Sequence, residues 1–287
     1  MPAATTLKDG LAFGEAPRWR DGRLWFSDFY RRAVFTLDPD GTETLVVEVP
    51  EQPSGLGWLP DGRLLVSSMR DHRVLRLEAD GSLSVHADLS PLADFHLNDL
   101  LTDAAGRAYV GNFGYDLHAD MARRDIPTIL ADESAGATRL ARVDPDGSVH
   151  VAAEGVRFPN GMAWQDGGRT LVVAETLRLQ LTAYDVAVDG SLASPRVWAS
   201  TAPQMVAPDG ICADPEGGIW VAAALGNAVV RYAEGGEVTG RVETSQIAYA
   251  CAIGGPSGRT LYAMTAPSSE PSIVDGQRLG RIEAAEV

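Results

Sequence analysis

Short apolar runs alternate with polar positions along almost the whole chain, and a glycine-containing turn separates most neighbouring runs. The first unit reads Ala16-Pro17-Arg18-Trp19, a turn at Asp21-Gly22, Arg23-Leu24-Trp25-Phe26-Ser27, then Ala33-Val34-Phe35-Thr36-Leu37 and a second turn, Asp38-Pro39-Asp40-Gly41. The next repeats it as Gly55-Leu56-Gly57-Trp58, Asp61-Gly62, Arg63-Leu64-Leu65-Val66-Ser67 and Arg73-Val74-Leu75-Arg76-Leu77. Alternation with a period of two predicts strands. Asp-Gly between such runs predicts hairpins, because glycine supplies the positive φ of a tight turn. Equivalent turns at Ala105-Gly106, Gly167-Gly168, Glu216-Gly217 and Ser257-Gly258 bring the copies to six. They recur about every 40 to 50 residues with one longer gap, the period of four-stranded propeller blades. The last copy supplies only three strands, so the segment around Ala4 to Leu7 is expected to add the fourth and hide a sheet edge. Helix signals are almost absent. The pattern predicts an all-β, six-bladed β-propeller formed by residues 1–287 as a single domain.

The longer gap is an insertion beginning at Phe113-Gly114-Tyr115-Asp116 and running to about Thr138, between the second and third strands of the third copy. In an up-and-down blade that loop emerges on the same face as the loop entering the first strand. The insertion, at about 113–138, is therefore expected to overhang one mouth of the central channel as a lid. Trp19, Trp58 and Trp164 share one place in their copies, with Asp103 and Asp214 read into that place in two others. These tryptophans are expected to pack between blades.

One phrase recurs at the start of the first strand of a copy: Gly14-Glu15-Ala16-Pro17, His96-Leu97-Asn98-Asp99, Phe158-Pro159-Asn160-Gly161 and Ala207-Pro208-Asp209-Gly210. Each copy puts an oxygen-bearing side chain, Glu15, Asn98, Asn160 or Asp209, at the entrance to a strand. Blades around one axis would make the four converge. Two carboxylates with amide carbonyls form a hard donor set that suits Ca²⁺, Mg²⁺ or Mn²⁺ better than soft metals. Two crowded carboxylates also call for a positive charge to offset their lost hydration. The expectation is a metal site at the mouth of the central channel.

Composition narrows the partners. With 39 acidic against 24 basic residues the formal charge is −15, which repels a phosphate backbone and argues against nucleic acid. No apolar run is long enough to predict a membrane span. The first residues, Met1 to Lys8, lack the basic and apolar regions of a signal peptide, so a cytoplasmic location is expected. Cys212 and Cys251, the only cysteines, both lie in apolar runs that begin a copy. Free thiols are expected in a reducing compartment, though equivalent places in adjacent copies leave a disulfide open. Two cysteines without clustered histidines make no zinc site of the structural kind.

At the phrases quoted above the sequence closely resembles the family of senescence marker protein, gluconolactonase and luciferin-regenerating enzyme, over nearly the whole chain. The resemblance implies a six-bladed propeller and, for some members, divalent-metal-dependent lactonase activity. It implies that Glu15, Asn160 and Asp209 are metal ligands, that Asn98 contacts substrate beside the metal, and that Asp209 is also the base. The metal implied is one divalent ion, Ca²⁺ first, with Zn²⁺, Mg²⁺, Mn²⁺ and Fe²⁺ as alternatives. The reaction implied is hydrolysis of a lactone to a hydroxy acid. A metal-polarised carbonyl is more electrophilic, and a carboxylate beside it can take a proton from water. Attack by Asp209 itself, or by metal-bound hydroxide, stays open.

Two features depart from the family's sugar-lactone pattern. His96 stands where arginine is often found, which removes a strong hydroxyl-binding fork. Phe113 and Tyr115 offer an aromatic wall, so a substrate less polar than an aldonolactone is expected, contacted by Asn98, His96, Phe113 and Tyr115. No Gly-x-Ser-x-Gly elbow is present to propose a serine nucleophile. Two rival readings remain: a metal-dependent esterase or phosphotriesterase, and a metal-binding propeller scaffold without turnover.

Overall fold

The computed structural model describes residues 3–287. Six antiparallel sheets of four strands are present among these residues, five of them running outward in chain order from an inner strand. The inner strands are Gly14–Arg20, Pro53–Trp58, Leu97–Thr102, Pro159–Gln165, Pro208–Ala213 and Ile247–Gly254, for blades 1 to 6. Blade 6 is completed by Thr5–Leu11, which pairs with Gly280–Glu286. The ring is thus closed by the two ends of the chain, at the segment the strand count required. An additional bond, Ala4 N–H to the Glu243 carbonyl at 2.8 Å, ties this strand to blade 5.

The core lies between the blades, because alternate residues on each sheet face the neighbouring sheet. Between blades 4 and 5, Val172, Leu181, Trp198, Ile219, Val221 and Tyr232 pack together. Between blades 6 and 1, Leu24, Phe26, Phe35, Tyr262, Met264 and Ile282 do the same. Truncating a fully buried member such as Phe26 to alanine is expected to cost about 3–5 kcal/mol, since lost transfer energy and an unfilled cavity add.

Near the axis the inner strands approach backbone to backbone, which explains the recurring glycines. A Cβ on Gly161 would stand 2.4 Å from the Ile211 nitrogen, and one on Gly210 would stand 2.6 Å from the Ala250 Cα. The glycine of Pro-Asn-Gly and Pro-Asp-Gly is therefore required by packing rather than by a turn.

The insertion leaves blade 3 after Asn112 and returns at Ala137, between the second and third strands as expected. It carries two short helices, α1 (Leu117–Met121) and α2 (Ile126–Ala131), and α3 (Pro271–Val274) lies between the last two strands of the chain. These short helices leave the fold all-β, as expected from the sequence. Asp116 and Asp125 cap α1 and α2, accepting the N–H groups of Ala119 and Thr128 at 2.9 Å. Helices of five and six residues are too short to show a period. Arg157, only 1% exposed, anchors the end of the insertion. Its guanidinium donates to the carbonyls of Asp132 at 2.7 Å, Ala135 at 3.2 Å and Ile129 at 3.4 Å.

The tryptophans pack between blades as expected: Trp19 stacks on Tyr262 at 5.7 Å, and Trp58 and Trp164 meet Trp25 and Tyr109 edge-on at 5.5 Å. Their register in the other blades needs correcting. Counting four residues from Asn98 and Asp209 places Thr102 and Ala213 there, while Asp103 and Asp214 belong to the turns beyond, accepting the N–H groups of Arg107 and Gly218. Cys212 and Cys251 are free thiols with their sulfurs 3.7 Å apart on neighbouring inner strands.

Candidate active site at one mouth of the channel

One backbone hydrogen bond recurs and sets the register of the site. The residue following the second strand donates to the residue preceding the inner strand: Phe29 to Phe13, Met69 to Gln52, Phe113 to His96, Thr176 to Phe158 and Ala224 to Ala207, at 2.8 to 3.2 Å. Two residues further on stand Glu15, Ser54, Asn98, Asn160 and Asp209. The repeat thus delivers five polar side chains to one level of the channel, and Tyr249 occupies the bulge of the sixth inner strand between Ala248 and Ala250.

Glu15, Asn98, Asn160 and Asp209 are 3% to 8% exposed, and a chain of hydrogen bonds fixes the amides. Ser54 Oγ donates to Asn98 Oδ1 at 3.2 Å, and Asn98 Nδ2 donates to Asn160 Oδ1 at 3.0 Å. Asn160 Nδ2 donates to Thr176 Oγ1 at 3.2 Å, and that hydroxyl donates to the Pro208 carbonyl at 2.8 Å. The sequence reading missed Ser54, although Pro53-Ser54-Gly55 repeats the form of Pro159-Asn160-Gly161.

The site is electrostatically unbalanced. Burial pushes the Glu15 carboxyl well up from its ordinary pKa, and the charges of Asp209 and Asp99 push it further; the Ala16 N–H and Arg18 act the other way. Asp209 is likewise raised well above the carboxylate range by burial and by Asp99, against hydrogen bonds from Asn160 and the Gly210 N–H. Asp99 is raised by burial and opposed by Arg18, whose Nη2 lies 3.8 Å from Asp99 Oδ1. Asp99 Oδ2 has no hydrogen-bond partner. One guanidinium therefore serves Glu15 and Asp99, and none serves Asp209. Asp99 was quoted in the sequence motif but not recognised as part of this charge cluster.

Above this floor opens a cavity of about 460 Å³. All seven side chains expected at the site, Glu15, His96, Asn98, Phe113, Tyr115, Asn160 and Asp209, line it. Phe113 stacks on Phe158 with centroids 4.8 Å apart. His96 lies against the Phe95 ring at 4.2 Å. Its pKa is lowered by burial and then by Arg70 and His72, which leaves the imidazole neutral at pH 7, and its Nδ1 is buried without a partner. The Tyr115 hydroxyl is buried near Asp120, its pKa pushed up to about 12 by burial and by that charge. His118 of α1 meets Ser269 Oγ at 3.2 Å across the mouth.

Among the described residues, no three His, Cys, Asp or Glu side chains gather as a ready-made cation site. The oxygen donors on offer are two carboxylates, Glu15 and Asp209, and the amide carbonyl of Asn160. No helix among the described residues is long and apolar enough to cross a membrane.

A family model described as SMP-30/Gluconolactonase/LRE-like region matches residues 13–267. The chain belongs to that family. Its curated relatives include a pentonolactonase of Haloferax volcanii, 30% identical over 274 residues and covering 93% of this chain and 86% of that protein. Among solved structures, a luciferin-regenerating enzyme superposes with a TM-score of 0.81 at 20% identity, covering 100% of this chain and 96% of the other. Regucalcin from Agrobacterium tumefaciens, described as a calcium-binding protein, superposes with a TM-score of 0.79 at 22% identity, over 99% and 94% of the two chains. These two superpositions establish the six-bladed fold, and the family match covers the stretch holding every site residue.

Proposed function

We propose that this chain is a lactonase dependent on one divalent metal ion, hydrolysing a lactone to its hydroxy acid. The observation that carries the reading is the pair of buried carboxyl groups, Glu15 and Asp209, that line the cavity with Asp99 buried beside them, while Arg18 offsets Glu15 and Asp99 but no cation offsets Asp209. A divalent cation fits this deficit, and the all-oxygen donor set favours Ca²⁺ among the candidates. Glu15, Asn160 and Asp209 would hold it. When bound, the ion supplies Lewis-acid polarisation of the lactone carbonyl and stabilisation of the oxyanion that develops there.

The chain's own groups account for the rest. Asn98 Nδ2 uses one hydrogen toward Asn160 Oδ1 and keeps a second for the carbonyl or ring oxygen of the substrate. Asp209 accepts a proton from the attacking water as its oxygen adds to the carbonyl carbon. The ring C–O bond then breaks, and the proton passes to the departing alkoxide. Burial raises the basicity of Asp209 and a neighbouring cation lowers it, which brings the carboxylate back toward a range useful for proton transfer. The insertion roofs the cavity and acts as its lid, with Phe113, Tyr115 and His96 contacting the substrate. The relationship to a pentonolactonase supports the reaction class, and the likeness to a calcium-binding regucalcin supports the fold on which such an ion is held. Metal analysis of the purified protein, followed by a pH-stat lactone screen with each metal restored, tests ion and reaction together. Equal hydrolysis of aryl esters and phosphotriesters in that screen would replace lactonase by a broader hydrolase.

A further inference from the structure

We propose that the substrate is a lactone carrying a large apolar substituent, alkyl or aryl, and not a polyhydroxylated sugar lactone. This rests on the lactonase reading and concerns the same site. Its basis is the wall above the polar floor.

Phe13, Phe29, Phe95, Phe113, Phe158 and Tyr249 all face the cavity. All but Phe95 belong to two packed clusters that meet at Phe113: one contains Phe13, Phe29, Met69 and Tyr249, the other Ile129, Phe158 and Leu177. Phe13 contacts Phe29 and Tyr249 with centroids 5.2 and 4.7 Å apart, so these rings hold one another in place. The insertion side is equally fixed, because Arg157 binds the carbonyls that follow α2. A preformed apolar wall of this kind favours an apolar guest without a cost for ordering it.

Polar capacity on the wall is small. On the floor, the Asn98 and Asn160 amides are engaged with Ser54, Thr176 and each other, leaving one Asn98 Nδ2 hydrogen for the lactone group itself. A buried polar atom of the wall without a partner is His96 Nδ1, and the Tyr115 hydroxyl is directed to Asp120. The charged residues Arg32, Arg70, Asp116 and Asp275 are exposed at the rim. An aldonolactone would bury several hydroxyls against phenylalanine, and each left unpaired would weaken binding by about tenfold. Each methylene placed on the same wall would instead strengthen it about fourfold. A volume of about 460 Å³ also falls within the range that accepts a drug-sized ligand, larger than a bare lactone ring.

The test compares δ-valerolactone, δ-nonalactone, δ-undecalactone, dihydrocoumarin and glucono-δ-lactone on the metal-replete protein. The expected result is a rise in kcat/KM of about fourfold per added methylene over the first few, with glucono-δ-lactone slowest and Phe113→Ala flattening the rise. A flat series, or glucono-δ-lactone as the best substrate, would overturn the proposal while leaving the lactonase reading in place. Failure to turn over any lactone with metal verified would remove that reading. The wall is tested separately by binding of the hydroxy acids: 5-hydroxydecanoate should bind at least about tenfold more tightly than gluconate, and the reverse order would overturn the proposal whether or not turnover is seen.

Discussion

The inner strands end in two cavities, one at each mouth of the channel, and the same strands furnish both with opposite materials. At the upstream ends stand Glu15, Asn98, Asn160 and Asp209, buried under a space of about 460 Å³. At the downstream ends stand Trp19, Trp58, Trp164 and Arg20, around a space of about 320 Å³. The downstream groups largely satisfy one another. Trp164 Nε1 donates to the Thr102 carbonyl at 2.9 Å, Arg20 lies 4.8 Å from the centroid of the Trp58 ring, and Arg18 reaches across to the Leu100 carbonyl at 3.1 Å. The upstream carboxylates are compensated only in part: Arg18 offsets Glu15 and Asp99, and Asp209 has hydrogen bonds from Asn160 and the Gly210 N–H but no cation. Repetition therefore explains how residues reach a common level, but the charge left over at one level decides which end is a site.

The largest expected effect that would sharpen this contrast is at Asp209. Asp209→Asn keeps size and an oxygen donor but loses the charge and the base, so kcat should fall at least about 10²-fold, the low end for a positioned general base. Saturating metal should not restore it; near-wild-type turnover at saturating metal would reduce Asp209 to a ligand.

Next comes affinity. Glu15→Gln and Asn160→Ala should each weaken metal binding, read by isothermal titration, by at least about tenfold, the low end even for groups that only support a metal ligand. Folding of the metal-free protein should survive both changes, because neither side chain sits in an interblade core. A melting temperature that collapses in the metal-free variants would make these residues structural.

A third effect concerns pH and stability. Glu15 and Asp209 have raised folded-state pKa values. Between the ordinary carboxylate range near pH 4 and those raised values, the folded metal-free protein holds more protons than the unfolded chain, so their contribution to stability falls as pH rises. Glu15→Gln should gain stability over the metal-free wild type progressively above about pH 4. Saturating metal should abolish the gain. A pH-independent difference would contradict the buried-charge account.

The smallest effect is expected at the other mouth. Arg20→Ala removes a half-exposed cation from the Trp58 face and should cost up to about 1 kcal/mol of stability, with kcat changed less than about twofold by the transition-state arithmetic for a group remote from the chemistry. A large loss of kcat would mean that the two ends of the channel communicate.

Much of this contrast was legible in the sequence. The Asp-Gly turns gave the blades, and the Pro-Asn-Gly and Pro-Asp-Gly phrases marked the level of the site, because an inner strand this close to its neighbour leaves no room for a Cβ at Gly161 or Gly210. Ser54 escaped because a serine alone carries no metal chemistry, yet its hydroxyl orients the Asn98 amide. Asp99 escaped because sequence does not show that Arg18, from blade 1, lies 3.8 Å from it. The tryptophan register slipped by one residue in two blades, since aspartates that belong to turns lie next to it. Helices α1 and α2 rest on single capping aspartates and on the carbonyls held by Arg157, contacts that no periodicity announces.

The central claim is that the incompletely compensated carboxylates hold a divalent ion on which lactone hydrolysis depends. The direct measurement is to strip the protein with chelator, verify the metal content by elemental analysis, and follow lactone hydrolysis in a pH-stat before and after titrating the ion back. The account predicts loss of turnover on removal and recovery that saturates at one ion per chain, with Glu15→Gln requiring more metal for the same recovery. Full activity in protein verified to be metal-free would contradict it.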